Sequence, residues 1–353
     1  MILKNLRLTS FKNHLNSEFE FRKGINCVLG LNGAGKTNLL DAIYYLSFSK
    51  SAVGSPDHLL ISLGQPSFTL FGTYEEIVIA IQSVRGKTKT IKINGQQPEK
   101  SSDLIGKVPL VMVLPDDTQI IKEGSDSRRK FFDGALCQFD KEYLDSLLKY
   151  NKVLKQRNSL LKLSESQPMN FELLETYDEL LVPLAQYISK KRRSICELFL
   201  PYLVKNYQDM HQGNESPGLA YQTHVSDSFK QQLKSSLQKD QLMRRTLLGS
   251  HRDEILFTLD DEPIKKFGSQ GQQKTFIIAL KLALYDFLKD RTGKTPLLLL
   301  DDIFDKLDDE RIRSMIALLD NEERFEQIFI SDARADRSNE LLKDHQRVNT
   351  IEL

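Results

Sequence analysis

The sequence predicts an α/β nucleotide-binding head interrupted by an inserted α-helical arm. Three observations carry this reading: a glycine-rich loop ending in Lys-Thr near the start, an apolar run ending in two carboxylates near the end, and a long helical periodicity between them. The loop, Gly30-Leu31-Asn32-Gly33-Ala34-Gly35-Lys36-Thr37, follows the apolar run Ile25 to Leu29 and opens a helix-like stretch from Asn38 to Leu46. Strand, loop and helix in that order form a phosphate cradle. Gly30, Gly33 and Gly35 let backbone N–H groups close around phosphate oxygens, in conformations where a Cβ would clash. Lys36 supplies a point charge for β- and γ-phosphates, Thr37 supplies a hydroxyl for Mg²⁺, and the helix turns its positive end toward the same phosphates. ATP and Mg²⁺ are therefore the expected cofactors.

At 353 residues the chain suits two domains, or one domain carrying an insertion. Its charge is balanced, with a formal net of +1, so no global basic field announces nucleic acid and any such contact must come from a local patch. Cys27, Cys137 and Cys196 are scattered without metal-ligand spacing and read as reduced core thiols of a cytoplasmic protein. No stretch approaches the ~18 apolar residues of a membrane span, so no membrane partner is expected.

Residues 1–29 alternate as strands at Leu6, Leu8, Phe19 and Phe21. A β-rich stretch follows, with Phe68 to Tyr74, Ile77 to Ser83 and Lys89 to Ile93, and Asn94-Gly95 marks a tight turn. From Asp116 to Lys239 the character is helical. Tyr143, Leu147, Tyr150, Leu154 and Leu161 share one helix face, Leu173 to Leu203 carries a second pattern, and a polar turn at Ser164 to Pro168 separates them. Two helices of about 25 residues reach ~40 Å, which makes a stub and not a long tether. Met210 to Pro217 is a loop by its Gly, Asn, Ser and Pro content. The expected division is 1–115 for the first part of the head, 116–240 for the arm and 241–353 for the rest of the head.

Pro296 to Asp302 reads as a buried parallel strand ending in paired acids, where a nucleotide enzyme holds its metal. Asp301 is the expected Mg²⁺ ligand, and Asp302 orients or deprotonates the attacking water. About 265 residues separate this strand from the loop, so something large interrupts the head. Just before the strand, Ser269-Gln270-Gly271-Gln272 opens a helical pattern from Phe276 to Leu288. Alone, that is an ordinary helix cap. Between the loop and the acidic strand it reads as a second anion site.

Phosphate loop, Ser-x-Gly-Gln signature, acidic strand and then Asp305-Lys306-Leu307-Asp308: this order resembles the ABC-type ATPases. Four further stretches narrow the match: Leu8-Thr9-Ser10-Phe11-Lys12-Asn13, Leu114-Pro115-Asp116-Asp117 with Ser127-Arg128-Arg129-Lys130-Phe131-Phe132-Asp133, Leu248-Gly249-Ser250-His251-Arg252-Asp253-Glu254, and Gly268-Ser269-Gln270-Gly271-Gln272-Gln273. Over nearly the whole chain they resemble the RecF family of bacterial DNA repair and replication proteins, which is related to the SMC proteins. The resemblance implies an ABC-type head that forms a head-to-tail homodimer on ATP, with Ser269 to Gln272 completing the phosphate site of the other subunit and Asp305 and Asp308 forming a D-loop. It adds Lys12 to the ATP contacts. It also implies binding to gapped DNA or single-strand to double-strand junctions, loading of RecA with RecR and RecO, and a slow, Mg-dependent, DNA-stimulated ATPase. The DNA candidates are Arg128, Arg129 and Lys130 with Lys190, Lys191, Arg192 and Arg193, although charge runs on helices are usually only solvated faces.

Some positions depart from the ABC pattern. Transporters place Glu after the metal Asp, so the shorter Asp302 predicts slow hydrolysis. The transporter's switch His is absent: the strand Gln327 to Ile330 ends in Ser331-Asp332, where RecF-like chains usually show Thr. Ser331 is expected against the attacking water, and the role of Asp332 is open. Gln119 is the nearest counterpart of the coupling-loop Gln. His251 and Asp253 lack further ligands at metal spacing and are expected to stabilise the base of the arm. A transporter ATPase subunit is the alternative reading, against which the missing His, the missing Gln and the arm all count; an SMC-like tether would need a longer arm.

Overall fold

The computed structural model describes residues 1–165, 168–211, 213–303, 315–334 and 347–353. It divides into two compact units, the first made of Met1–Asp117, Asp209–Gln212 and Lys274–Leu353, the second of Thr118–Gln208 and Gly213–Gln273.

The first unit begins with strands β1 (Leu3–Phe11), β2 (His14–Glu20) and β3 (Gly24–Leu29), then helices α1 (Lys36–Phe48) and α2 (Asp57–Leu60), then β4 (Ser67–Tyr74), β5 (Val78–Val84), β6 (Thr90–Ile93) and β7 (Leu110–Val113). Alternating burial along β1, β4 and β5 suits an antiparallel sheet with one covered face, in the order β2-β1-β4-β5-β6. Asn94 and Gly95 both take positive φ, 51° and 80°, as the tight turn at that dipeptide requires.

The arm unit holds α3 (Gln119–Lys122), α4 (Ser125–Cys137), α5 (Lys141–Leu163), α6 (Phe171–Met210), β8 (Pro217–Gln222), α7 (Phe229–Ser235), α8 (Leu237–Met243), β9 (Glu254–Leu259), β10 (Glu262–Pro263) and α9 (Ile264–Phe267). Helix α10 (Gln270–Thr292) starts in it and continues into the first unit, which closes with β11 (Leu297–Asp301), β12 (Gln327–Asp332) and β13 (Val348–Glu352).

A second sheet in the first unit is wholly parallel, ordered β13-β3-β12-β11-β7. Every residue of β3, β11 and β12 is buried, the pattern of strands covered on both faces. Helix α1 packs against strands of both sheets, and Leu39, Leu40, Ile43 and Leu46 join one core with Leu6, Leu70, Leu299 and Phe329. A buried glutamine fastens the layers. Gln327 on β12 accepts from Leu3 N at 2.8 Å and donates to Leu3 O at 2.8 Å and Arg22 O at 3.1 Å, which ties backbone groups of the first strands to β12.

Two expectations for the arm are corrected. Helix α6 runs for 40 residues, about 60 Å, because its buried face continues from Leu203 through Tyr207 and Met210. The arm unit also extends past 240 to Gln273, because β8 pairs antiparallel with β9, with Leu219 opposite Phe257. Pairing between two six-residue runs leaves no periodic signal longer than either run.

Buried charge ties the arm's helices together. Arg157 on α5, fully buried, pairs with Asp178 on α6 at 2.6 Å and Asp240 on α8 at 2.7 Å, and donates to Thr246 Oγ1 at 2.8 Å. Arg192 on α6 pairs with Asp133 on α4 at 2.8 Å and with Asp253, just before β9, at 3.0 Å. Ser189, Tyr221 and Thr223 also donate to Asp253. His251 sits beside this network, its Nδ1 2.7 Å from the Tyr150 hydroxyl and its Nε2 3.0 Å from Thr246 O. Burial pushes its pKa down to about 4, with the charges of Arg252, Arg129 and Arg192 acting in the same direction.

The folded state therefore holds His251 neutral, whereas the unfolded chain binds a proton near pH 6.5. Stability from this group is complete above pH 6.5 and is lost as the pH falls toward 4, by at most about 3 kcal/mol. Urea unfolding from pH 7.5 to 4.5, compared with a His251→Gln variant, should show the wild type losing more stability over that window. Parallel curves would mean that His251 does not couple to folding.

Candidate nucleotide site

Strand register assembles this site. Asp301 pairs with Ser331, and Asp332 with Leu29, so the carboxyl ends of β11, β12 and β3 meet in one row. Gly30 and the loop leave that row from β3 and return as α1. Carboxyl ends of parallel strands are where α/β sheets bind ligands.

Within the row, Thr37 Oγ1 lies 2.9 and 3.1 Å from the two oxygens of Asp301. Ser331 Oγ donates to Asp301 Oδ1 at 2.6 Å and accepts from Asp302 N at 3.0 Å. Burial pushes the Asp301 carboxyl above its usual range, against the hydrogen bonds of Ser331 and Thr37 and the charge of Lys36. A buried carboxylate beside a hydroxyl offers the hard oxygen donors Mg²⁺ prefers. Lys36 is buried, its Nζ donating to Gly30 O at 2.7 Å and Leu31 O at 3.0 Å. Gly33, at φ 86°, has nothing within 4 Å of where a Cβ would stand, while Leu31 and Asn32 are exposed and Ala34 half-buried. The loop is thus open on its outer side, and its residues fit a phosphate chain.

Asp302 takes φ 47°, a left-handed conformation that a non-glycine residue adopts at a cost of order 1 kcal/mol. Its N–H is directed to Ser331 Oγ. That assignment changes the expectation for Ser331: its single proton goes to Asp301, so its hydroxyl orients the carboxylate. Asp332 is fully buried and accepts from Arg334 N at 3.1 Å.

Two expected residues have other surroundings. The Lys12 ammonium pairs with Asp41 on α1 at 2.7 Å, and Asp41 also accepts from Ser51 Oγ and Ala52 N. Gln119 is exposed and opens α3 in the arm unit. Asp305 and Asp308 lie outside the described residues. The signature lies in the arm unit as a capping box: Gln272 N donates to Ser269 Oγ at 3.2 Å and Ser269 N to Gln272 Oε1 at 2.7 Å. Ser269 and Gln270 are exposed, and Gly271 and Gln272 half-buried.

The loop's brace was not foreseen. Asn13 Nδ2 donates to Ala34 O at 2.9 Å, Asn38 Nδ2 to Asn13 Oδ1 at 2.7 Å, and His14 Nε2 lies 3.2 Å from Gly35 O. Gly35 has φ 112°, and a Cβ there would stand 2.5 Å from Asn13 Nδ2 and 2.9 Å from His14 Nε2. Asn13 ends the stretch Leu8 to Asn13 that carries the family resemblance and His14 opens β2, but no residue pattern marks either as a brace; the pairing of β1 and β2 turns them onto the loop.

The basic clusters divide. Arg128 is buried, donating to Ile255 O at 2.5 Å, Glu123 O at 3.1 Å and Ser125 Oγ at 3.1 Å, and Arg192 is buried between Asp133 and Asp253. Both are corrected from DNA candidates to arm structure. Arg129 donates to Asp253 O at 2.6 Å, and Lys191 pairs with Asp140 at 2.6 Å. Lys190 and Arg193 are exposed, and so is Lys130, which pairs with Asp126 at 2.6 Å. Helical spacing held this information: Ile188, Arg192, Ile195 and Phe199 share one buried face, as do Arg128, Phe132 and Ala135.

Comparison with known proteins agrees with this architecture. The family model for the RecF/RecN/SMC N terminal domain matches residues 2–350. The DNA replication and repair protein RecF of Phocaeicola vulgatus is 43% identical over 98% of this chain and 95% of its own length; that of Flavobacterium johnsoniae is 40% identical over the full length of both. The chain belongs to the RecF family. A solved structure of the recombination mediator protein RecF-ATPrS in the RecFOR pathway superposes with a TM-score of 0.88 at 30% identity, over 100% of this chain and 96% of the other. An SMC head bound to the C-winged helix domain of ScpA superposes at 0.57 with 16% identity, over 95% of this chain and 90% of the other, a likeness of fold alone. This RecF-family chain has an ABC-type ATPase head and a helical arm. No helix among the described residues is long and apolar enough to cross a membrane.

Arg192→Met leaves Asp133 and Asp253 without their buried cation and should lower unfolding stability by about 3–5 kcal/mol. Lys130→Gln should stay within about 0.5 kcal/mol of the wild type. Urea unfolding at pH 7.5 compares them, and equal losses would contradict the assignment of Arg192 to the arm's interior.

Proposed function

We propose that this chain is an ATP-switched DNA-binding protein of replication and recombinational repair, which closes into a head-to-tail homodimer on ATP and reopens on slow hydrolysis. The observation that carries this reading is the contact of Thr37 with Asp301, 2.9 Å across 264 residues of sequence, beside an open glycine loop. The solved RecF-ATP structure in the RecFOR pathway, 31% identical over 95% of this chain, supports ATP as the ligand.

In this mechanism the N–H groups of Gly30 to Thr37 bind the phosphates and Lys36 neutralises their β and γ oxygens. Thr37 and Asp301 hold Mg²⁺, which when bound offsets the charge that develops on the phosphates. Ser331 holds the Asp301 carboxyl in place. Asp302 positions a water and accepts its proton; its short side chain is a reason for slow turnover. Ser269 to Gln272 complete the phosphate site of the second subunit, and Asp305 and Asp308 supply the D-loop. Gapped DNA or a single-strand to double-strand junction is the DNA partner, and RecR, RecO and RecA are the protein partners. Among the basic residues, Lys130, Lys190 and Arg193 are the phosphate contacts we favour, because their side chains face solvent.

Lys36→Ala should abolish ATP binding with the fold intact, and wild-type affinity would remove the loop from the site. Ser269→Arg should bind ATP as a monomer and fail to dimerise, whereas Asp302→Asn should dimerise and hydrolyse at least about tenfold more slowly. Sizing with and without ATP, combined with turnover rates, separates these outcomes.

DNA binding should require ATP and weaken with salt, with a logarithmic slope of about −0.9 per phosphate contacted. Changing Lys130, Lys190 and Arg193 together to Gln should make that slope shallower while ATP affinity holds. An unchanged slope in a salt titration would place the DNA surface elsewhere.

A further inference from the structure

One carboxylate beside the signature has no part in the chemistry above. Glu215 lies between α6 and β8, and its two oxygens serve different elements. Oε1 accepts from Gln272 Nε2 at 2.8 Å, and Oε2 accepts from the hydroxyl of Tyr207, a buried residue in the last turn of α6. The backbone beside Glu215 is pinned. Ser216 N donates to Asp260 Oδ1 at 2.8 Å, Asp260 N donates to Ser216 O at 2.9 Å, and the β8–β9 ladder starts at Pro217 opposite Leu259.

The signature is held from its other side as well. Gln273 Nε2 donates to Gly268 O at 3.0 Å, and a Cβ on Gly268 would meet Ile264 O at 2.7 Å, so the turn into α10 tolerates little adjustment. With Oε1 of Gln272 on Ser269 N and Nε2 on Glu215, the amide plane is fixed at both ends. Ser269 Oγ accepts from Gln272 N, which leaves the hydroxyl proton available to another acceptor.

We propose that Glu215 is a positioning residue of the signature, tying Gln272 to the end of the arm's longest helix so that Ser269 is presented to a phosphate held by a second copy of this chain. The inference rests on the reading that the signature acts across an ATP dimer. Without the carboxylate the Gln272 amide turns, the cap loosens and the dimer weakens, while ATP binding by one subunit, carried by Lys36 and Thr37, is unaffected. The arm then regulates dimerisation: a displacement at the end of α6 reaches the signature through two hydrogen bonds to one carboxylate.

The test measures the ATP concentration at half-dimerisation by light scattering, with nucleotide affinity and melting temperature recorded for each full-length variant. Glu215→Ala should raise that concentration about tenfold, the scale of one lost hydrogen bond to a charged group. Glu215→Gln, which keeps an acceptor oxygen, should recover part of the loss. In a Gln272→Ala background, Glu215→Ala should add nothing, a non-additivity that general destabilisation of the arm would not produce. If Glu215→Ala fails to fold, Tyr207→Phe is read in the same assay and should shift half-dimerisation about threefold. Wild-type half-dimerisation in these variants, or additive effects with Gln272→Ala, overturns the inference while the ATP dimer stands. A wild-type protein that stays monomeric with ATP overturns the dimer reading and this inference with it.

Discussion

The register of three parallel strands is the constraint on which the candidate site depends. Asp301 is opposite Ser331, and Asp332 opposite Leu29. Because side chains alternate along a strand, a slip of one residue on β11 would turn Asp301 away from Thr37 and Ser331. What prevents the slip is burial. All residues of β3, β11 and β12 are inside, and α1 packs over them with the antiparallel sheet behind it, so a shifted register would misalign a filled core. Gln327 adds a polar lock, since its amide bonds to Leu3 at both ends only in this alignment.

The arm solves a different problem with charge. Arg157 and Arg192, both buried, each bridge two carboxylates from different elements and thereby fix the relative placement of α4, α5, α6, α8 and the approach to β9. Apolar contacts alone would allow those helices to slide; paired charges inside a low-dielectric interior tolerate little displacement before desolvation outweighs attraction. Two of the seven basic residues that read as a nucleic-acid footprint, Arg128 and Arg192, are therefore internal scaffolding. A neutral His251 belongs to the same interior, excluded from protonation by burial and by nearby arginines.

A short-range brace links strand hairpin to loop in the head, and another links helix end to signature in the arm. Asn13 and His14 support the carbonyls of Ala34 and Gly35, and Glu215 supports Gln272. In both cases a polar group from a distant part of the chain orients a residue whose own motif is local. Gly35 lets the loop approach its brace, and Gly268 lets the turn before the signature close onto Ile264.

Local pattern was enough for the family, for the strand, glycine loop and helix around Gly30 to Thr37, for the buried strand that ends in Asp301 and for the helix cap at Ser269, because each depends on residue type at fixed spacing. It also determined the helical arm and the tight turn at Asn94-Gly95, where periodicity and backbone preference act over a few residues. Contacts between distant segments set that Ser331 serves Asp301, that β8 joins β9 to carry the arm to Gln273, and that Asn13, His14 and Glu215 act as braces, whereas helical spacing already held the inward faces of Arg128 and Arg192. The physical reason is common to these cases. Burial, ion pairing and strand register are set by groups far apart in the chain, and a linear pattern records a residue's type without recording its neighbours.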